Sequence, residues 1–238
     1  MNFKRADFEI RCEWGKQGVL QLAPLSDVVI IVDVLSFSTC IEIVNSQGAT
    51  VFPYQWHDDT AKEFAHSVGA ELADKRGISR YSLSPASLLQ IGRDTRLVLP
   101  SPNGSSLSLA TEKTPTLTGC LRNPKAIAVA AMKYGRYITV VPAGEKWSDG
   151  TLRPSFEDFI GAGAIINYLE GRLSPEAQAA TSAYRGVRES LGCLLEQCNS
   201  GRELIELGFK GDVELAAELN VSDCAPTLVD KFYVNHPS

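Results

Sequence analysis

The chain has 238 residues, 44% of them hydrophobic and 21% charged, a balance that supports a buried core and excludes a disordered or fibrous protein. Its 23 basic residues are outnumbered by 28 acidic ones, for a net charge of −5. With no basic run there is no footprint for a nucleic-acid backbone, and any bound anion has to be held locally.

The first strong signal is the run Val28–Val32, which stops at Asp33 and passes into Ser36, Phe37, Ser38 and Thr39. Two further segments, RLVLPSPNGSSLSLA and YITVVPAGE, repeat this pattern of a β-branched run, a small polar turn and a helical period. None alternates in and out, as expected of strands covered on both faces. The chain is therefore expected to be α/β, a three-layer α/β/α arrangement with a mostly parallel or mixed central sheet. Between the runs, Thr60 with Glu63 reads as a capping box, and Asn123-Pro124 opens a helix to Met132. Ser155 with Asp158 caps FEDFIGAGAIINYL, and Ser174-Pro175 starts a long helix with an apolar stripe from Ala177 through Leu191 to Leu194. Ser200 opens GRELIELG, and Asp212 to Leu219 forms the last helix. Residues 69–89 read as irregular. No linker or repeat divides the chain, so one domain is expected over residues 1–238.

Nothing reaches the ~20 apolar residues of a membrane span, and the opening MNFKRADFEIR has no apolar signal core. The six cysteines form no C-x-x-C pair. Reduced, mostly buried thiols in a cytoplasmic protein that contacts neither nucleic acid nor membrane are the expectation.

Open α/β sheets collect ligands beyond the carboxyl ends of their strands, where helix N-termini point unpaired N–H groups. Asp33 ends an aliphatic run, so its carboxylate is desolvated unless a cation or several donors meet it. It is a candidate metal ligand or, equally within its chemistry, a local loop cap. Ser36, Ser38 and Thr39 suit an oxyanion as well as they suit a helix cap. Pro102, Asn103, Gly104 and Ser105 form a tight turn through which backbone N–H groups can approach a ligand, or a plain surface turn. Glu157 and Asp158 sit in a first helical turn, where the dipole favours acids, and beside Asp149 and Arg153 they offer oxygen ligands for Mg²⁺. Arg153 fits a bidentate clamp on phosphate, sulfonate or carboxylate; Arg122, Lys125 and Arg202 are weaker candidates. Thiol-phosphatase, D-x-D and P-loop motifs and G-x-G-x-x-G are missing, and the histidines His57, His66 and His236 avoid the post-strand loops, which argues against a histidine nucleophile or a zinc site.

Five ordered motifs, DVVIIVDVLSFSTCIEI, LPSPNGSSLS, GCLRNPKAIA, VVPAGEKWSDGTLRPSFEDFIGAGAII and SGRELIELGFKGDVELAAELN, resemble the 2-phosphosulfolactate phosphatase (ComB) family from about Asp27 to Asp230. The resemblance implies a Mg²⁺-dependent phosphatase that hydrolyses 2-phospho-3-sulfolactate to sulfolactate and phosphate on a three-layer α/β/α fold, a step of coenzyme M biosynthesis in methanogens. Where many members read D-V-L-R-A-T, this chain reads Asp33-Val34-Leu35-Ser36-Phe37-Ser38, so an arginine is missing there.

On that basis Asp33, with Glu157 or Asp158, is expected to hold Mg²⁺ against the phosphate, while Ser36, Ser38, Thr39, Asn103, Gly104 and Ser105 cradle its oxygens. Arg153 grips the organic acid, and Glu145 orients the attacking water. Asp33 as a nucleophile remains an alternative. So does a non-catalytic sensor of phosphorylated ligands using the same cradle, and an unrelated α/β transferase with a nucleotide-sized cleft. The partner expected is a small anionic phosphorylated substrate; a homo-oligomer is possible.

Overall fold

The computed structural model describes residues 7–235; the first six residues of the opening segment and His236 lie outside the described residues. The strands are β1 (Ile10–Cys12), β2 (Val28–Val32), β3 (Thr50–Tyr54), β4 (Glu71–Leu72), β5 (Arg96–Pro100), β6 (Thr116–Gly119), β7 (Ile138–Pro142), β8 (Glu145–Lys146), β9 (Leu152–Arg153), β10 (Pro226–Val229) and β11 (Phe232–Asn235). The helices are α1 (Gly15–Leu22), α2 (Phe37–Ser46), α3 (Asp59–Ser67), α4 (Pro85–Leu88), α5 (Gly104–Ala110), α6 (Pro124–Met132), α7 (Phe156–Ile166), α8 (Pro175–Val187), α9 (Leu191–Gln197), α10 (Asn199–Glu206) and α11 (Lys210–Ala217).

Nine of the described strands pair in the order β1-β7-β2-β6-β10-β11-β3-β5-β4, and β8-β9 makes a separate ribbon. The group β1, β7, β2 and β6 is parallel, as is the group β3, β5 and β4. The hairpin β10-β11 joins the two groups antiparallel on either side. The result is a mixed sheet in a three-layer α/β/α arrangement.

The unbroken apolar run of β2 follows from its position. Val28, Ile30 and Val32 pack with Ile127, Ile160 and Ile165 of α6 and α7. Val29 and Ile31, one residue out of phase, pack with Val19 of α1 and Leu107 of α5. Helix α2 is buried from Phe37 through Asn45 and rests on β3, β6, β10 and β11. Phe37 meets Tyr233 of β11 edge-on, with ring centroids 6.2 Å apart. The buried Glu42 of α2 is paired with Arg122 at 2.5 Å.

Local readings shift in instructive ways. Asp58 caps α3 by accepting the Thr60 N–H, displacing the capping box read at Thr60. The helix from Ser174 does not run unbroken to Leu194: a turn at Arg188–Ser190 intervenes, and the buried positions beyond it are Leu191 and Leu195. Cys198 rather than Ser200 caps α10, its Sγ accepting the Gly201 N–H, and α11 starts at Lys210 rather than Asp212. Residues 69–89 hold only the two-residue β4 and the four-residue α4.

The small residues of FIGAGAII let α7 lie close to its neighbours. A Cβ on Gly163 would sit 2.1 Å from the carbonyl oxygen of Ala180 in α8. Gly163→Ala should therefore force α7 and α8 apart and cost about 1–3 kcal/mol. Gly192→Ala, at a position with nothing within 4 Å, should shift stability by less than about 1 kcal/mol. Denaturant melts of the two variants check the contrast.

Candidate active site

Strand β2 carries Asp33 to its carboxyl end, where the residue is only 6% exposed. The Phe37 N–H, in the first turn of α2, donates to Oδ1 at 3.2 Å, and the Gly104 N–H, at the start of α5, donates to Oδ2 at 2.9 Å. Only glycine fits at 104, since a Cβ would lie 2.1 Å from Cδ1 of Phe37 and 2.8 Å from Oδ2 of Asp33. Four strands separate β2 from β5 in the sheet order. The Gly104–Asp33 bond nonetheless joins the segments that follow them.

Asp158, expected as a candidate metal ligand, is drawn into the packing instead. Its Oδ1 accepts the Val34 N–H at 2.7 Å; its Oδ2 accepts the Gly144 N–H and the Ser155 hydroxyl, each at 2.9 Å. It ties the loops after β2 and β7 to the start of α7. Glu157, the next residue back, is 2% exposed and lines a hollow of about 360 Å³ with Arg153, Phe156 and Cys198.

Glu145 begins the β8-β9 ribbon, directly across from Arg153 in the register. Its Oε2 accepts from the Asn103 amide at 2.9 Å, and both residues line a cavity of about 530 Å³ with Trp14, Gly144 and Leu152. The Arg153 guanidinium lies 5.7 Å over the Trp147 ring, and Nη2 stands 3.9 Å from Glu203.

These carboxylates act on one another. Burial pushes Asp33 up to about 6; the nearby Glu157 charge adds to this, while the two N–H bonds and Arg76 oppose it. Burial likewise raises Glu145 to about 7, with Asp33 and Glu157 adding and Asn103 and Arg153 opposing. Asp158 is driven up by burial and by the charges of Asp33 and Glu157. The charges of Asp33 and Glu157 both act on Glu145 and on Asp158.

Three of the expected cradle hydroxyls face the fold. Ser38 Oγ accepts the Asp33 N–H at 2.9 Å and pairs with Thr118 Oγ1 at 2.7 Å. The Thr39 hydroxyl donates to the Val34 carbonyl at 2.7 Å, and that of Ser105 donates to the Leu99 carbonyl at 3.1 Å. All three side chains are fully buried, because small hydroxyl residues beside strand ends are also the residues best suited to satisfy backbone groups there. The Gly104 N–H is taken by Asp33. Ser36 and Asn103 remain the polar side chains that partner charged residues of the cluster.

Sequence reasoning missed Arg76. Its Nη2 donates to Ser36 Oγ at 3.0 Å, so the loop that reads serine at 36 still carries a guanidinium, delivered from residues 69–89. Buried Asp212 stands behind it, Nε to Oδ2 at 3.6 Å. The only available signal was the Lys75-Arg76-Gly77 turn in a stretch without periodicity. Arg122, a weaker candidate, is committed to Glu42 and Glu218.

Among the described residues no group of three or more His, Cys, Asp or Glu side chains is placed to hold a metal ion. The donors at Asp33 fit an ion that takes one or two carboxylates and completes its shell with water or phosphate oxygens, the habit of Mg²⁺. Among the described residues each Asp33 oxygen accepts one N–H bond and keeps a lone pair, and a cation would relieve the repulsion that Asp33 and Glu157 exert on Glu145.

Compared with known proteins, the profile of the family described as 2-phosphosulpholactate phosphatase matches residues 17–231. The chain is 28% identical over 207 residues to the 2-phosphosulfolactate phosphatase of Methanothermobacter thermautotrophicus, covering 86% of this chain and 88% of that one. It is 29% identical over 206 residues to a probable 2-phosphosulfolactate phosphatase of Carboxydothermus hydrogenoformans, covering 83% and 84%. With a probable 2-phosphosulfolactate phosphatase of Thermotoga maritima the identity is 26% over 224 residues, covering 90% and 96%.

Glu145 sets a pH dependence of stability. Raised from 4.5 to about 7 in the fold, it keeps a proton that the unfolded chain has already released, so its penalty is absent below the unfolded value and complete above the folded one. In metal-free buffer the unfolding free energy should fall between about pH 5 and pH 8, with Glu145 contributing roughly 1–3 kcal/mol of the fall. Glu145→Gln should flatten that part of the curve. Coincident curves for the two proteins in urea melts would contradict the burial argument.

Proposed function

The chain belongs to the 2-phosphosulfolactate phosphatase family, whose members are phosphoric monoester hydrolases, and we propose that it hydrolyses 2-phospho-3-sulfolactate, or a similar small phosphorylated hydroxy acid, to the free hydroxy acid and phosphate. The observation that carries this reading is the placement of Asp33 at the carboxyl end of β2, bonded by the N–H groups that open α2 and α5, with Asn103, next to Gly104, bonded to Glu145.

Asp33 and Glu157 would hold Mg²⁺, which when bound supplies neutralising charge to the phosphoryl oxygens. Glu145 acts as general base. Burial pushes its carboxyl up to about 7, the range in which proton transfer to a side chain is most effective. The Asn103 amide fixes Oε2, which leaves the second oxygen to take a proton as water attacks phosphorus. A water oxygen–phosphorus bond forms, the ester P–O bond breaks, and the departing alkoxide takes a proton from solvent. Ser36 and Asn103 orient the phosphate. Arg153, stacked on Trp147, grips the carboxylate or sulfonate as a planar fork. Direct attack by water accords with the two N–H bonds that hold Asp33 as a fixed acceptor. Among the described residues no helix is long and apolar enough to cross a membrane.

Phosphate release measured with Mg²⁺ and with chelator, for wild type and Asp33→Asn, tests the assignment. Only wild type with Mg²⁺ should turn over well, and the other three arms should lose at least about 100-fold. Equal rates in all four remove the metal and Asp33 from the reaction; calorimetric binding without release would establish a sensor instead. Glu145→Gln should lose about 10²–10⁴ in kcat and the pH-dependent limb near neutrality.

A further inference from the structure

The segment after β4 closes on itself, the Asp74 N–H donating to the Tyr81 carbonyl at 3.0 Å, and Arg76 projects from this small loop. Its guanidinium is fixed on three sides. It lies 5.8 Å over the ring of Phe209, which caps α11. Its Nε faces Asp212 Oδ2 at 3.6 Å, and its Nη2 donates to Ser36 Oγ. Asp212 is itself held firmly, Oδ1 accepting the Ser84 hydroxyl at 2.7 Å and the Ala86 N–H at 3.0 Å.

A buried ion pair normally closes its hydrogen bonds, because an unpaired charged donor or acceptor out of water is costly. Here it does not. Arg76 Nε and Asp212 Oδ2 are both buried and neither has a hydrogen-bond partner. Of the five guanidinium N–H groups, one is hydrogen-bonded to Ser36 among the described residues, and the half-buried side chain, 23% exposed, leaves its outer Nη edge open to an incoming ligand. A structural arginine would be expected to spend its fork. This one is held by stacking and by a distant carboxylate, and it sits close enough to Asp33 for its charge to act there.

We infer that Arg76 is a substrate-binding residue that takes the phosphoryl oxygens beside Asp33, with Asp212 as the positioning residue behind it. The assignment rests on the hydrolase reading for the identity of the ligand. It divides the work between two guanidiniums: Arg76, hydrogen-bonded to Ser36 three residues after Asp33, serves the phosphate, and Arg153, opposite Glu145 on the ribbon, serves the organic acid.

Calorimetric titrations with inorganic phosphate and separately with 3-sulfolactate, both in Mg²⁺ buffer, test the division. Arg76→Gln should weaken phosphate binding at least tenfold and sulfolactate binding less than threefold, and Arg76→Lys, which keeps the charge without the fork, should fall between. Because Arg76→Gln strands the buried Asp212, the paired variant Arg76→Gln with Asp212→Asn guards against a folding defect and should show the same selective loss. Unchanged phosphate affinity, or equal loss of both ligands in folded protein, overturns the assignment. Turnover of the ester by wild type is measured in parallel. Phosphate binding that depends on Arg76 without ester turnover refutes the hydrolase reading and upholds the assignment; turnover with phosphate affinity indifferent to Arg76 does the reverse.

Discussion

Backbone N–H groups hold the acidic centre of this molecule. Phe37 and Gly104 donate to Asp33, and Val34 and Gly144 donate to Asp158. Hydrogen bonds to charged acceptors contribute about 1.5–3 kcal/mol each, but removing a carboxylate from water costs several kcal/mol. The donors fix the geometry without cancelling the cost of burial, which still pushes the Asp33 carboxyl up to about 6. The same four bonds lash together the loops that follow β2, β5 and β7, so the shape of the crevice and its unbalanced charge have one origin.

Much of this was legible because the residues involved obey local rules. The run Val28–Val32 is apolar at every position since alternate side chains enter different cores, and a carboxylate ending such a run is conspicuous. Helix starts at Pro124, Phe156 and Pro175 follow from the residues before them. The middle of the sheet was not legible. Its hairpin β10-β11 turns at Asp230 and Lys231, with φ of 47° and 70°, a turn that usually advertises itself through Asn-Gly or Asp-Gly. Without that signal, and with strands of only four residues, nothing local separates them from loop. Sheet order is a long-range property. The contact between Gly104 and Asp33, on which the site depends, is a consequence of it.

Site residues divide along the same line. Serine and threonine beside strand ends serve either ligand or backbone, and the sequence pattern is identical for both; Ser38, Thr39 and Ser105 proved to serve the backbone. Asp158 belongs to a helix start in either role, and only the positions of Val34 and Gly144 decide between them. Arg76 was invisible for the opposite reason: it lies in a segment whose conformation is set by tertiary contacts with α11 and with Ser36 rather than by any period of its own.

The placement of opposite charges has a physical logic. Asp33 and Glu157 come from the ends of core elements, whereas the guanidiniums arrive from peripheral ones, the two-residue strand β9 and the loop after β4. An arginine packed directly among Asp33, Glu145 and Glu157 would pair with them and leave neither charge for a ligand. Arg153 and Arg76 are instead steadied on aromatic rings and drawn toward their own acids, Glu203 at 3.9 Å and Asp212 at 3.6 Å, both beyond hydrogen-bonding distance. Attraction at that range orients a planar cation without consuming its donors. A phosphate or carboxylate that enters can then form short, charge-assisted bonds with less competition from existing ones. A chain with net charge −5 that offers an anion little long-range attraction can accommodate one in this way, by keeping its few well-placed cations incompletely satisfied.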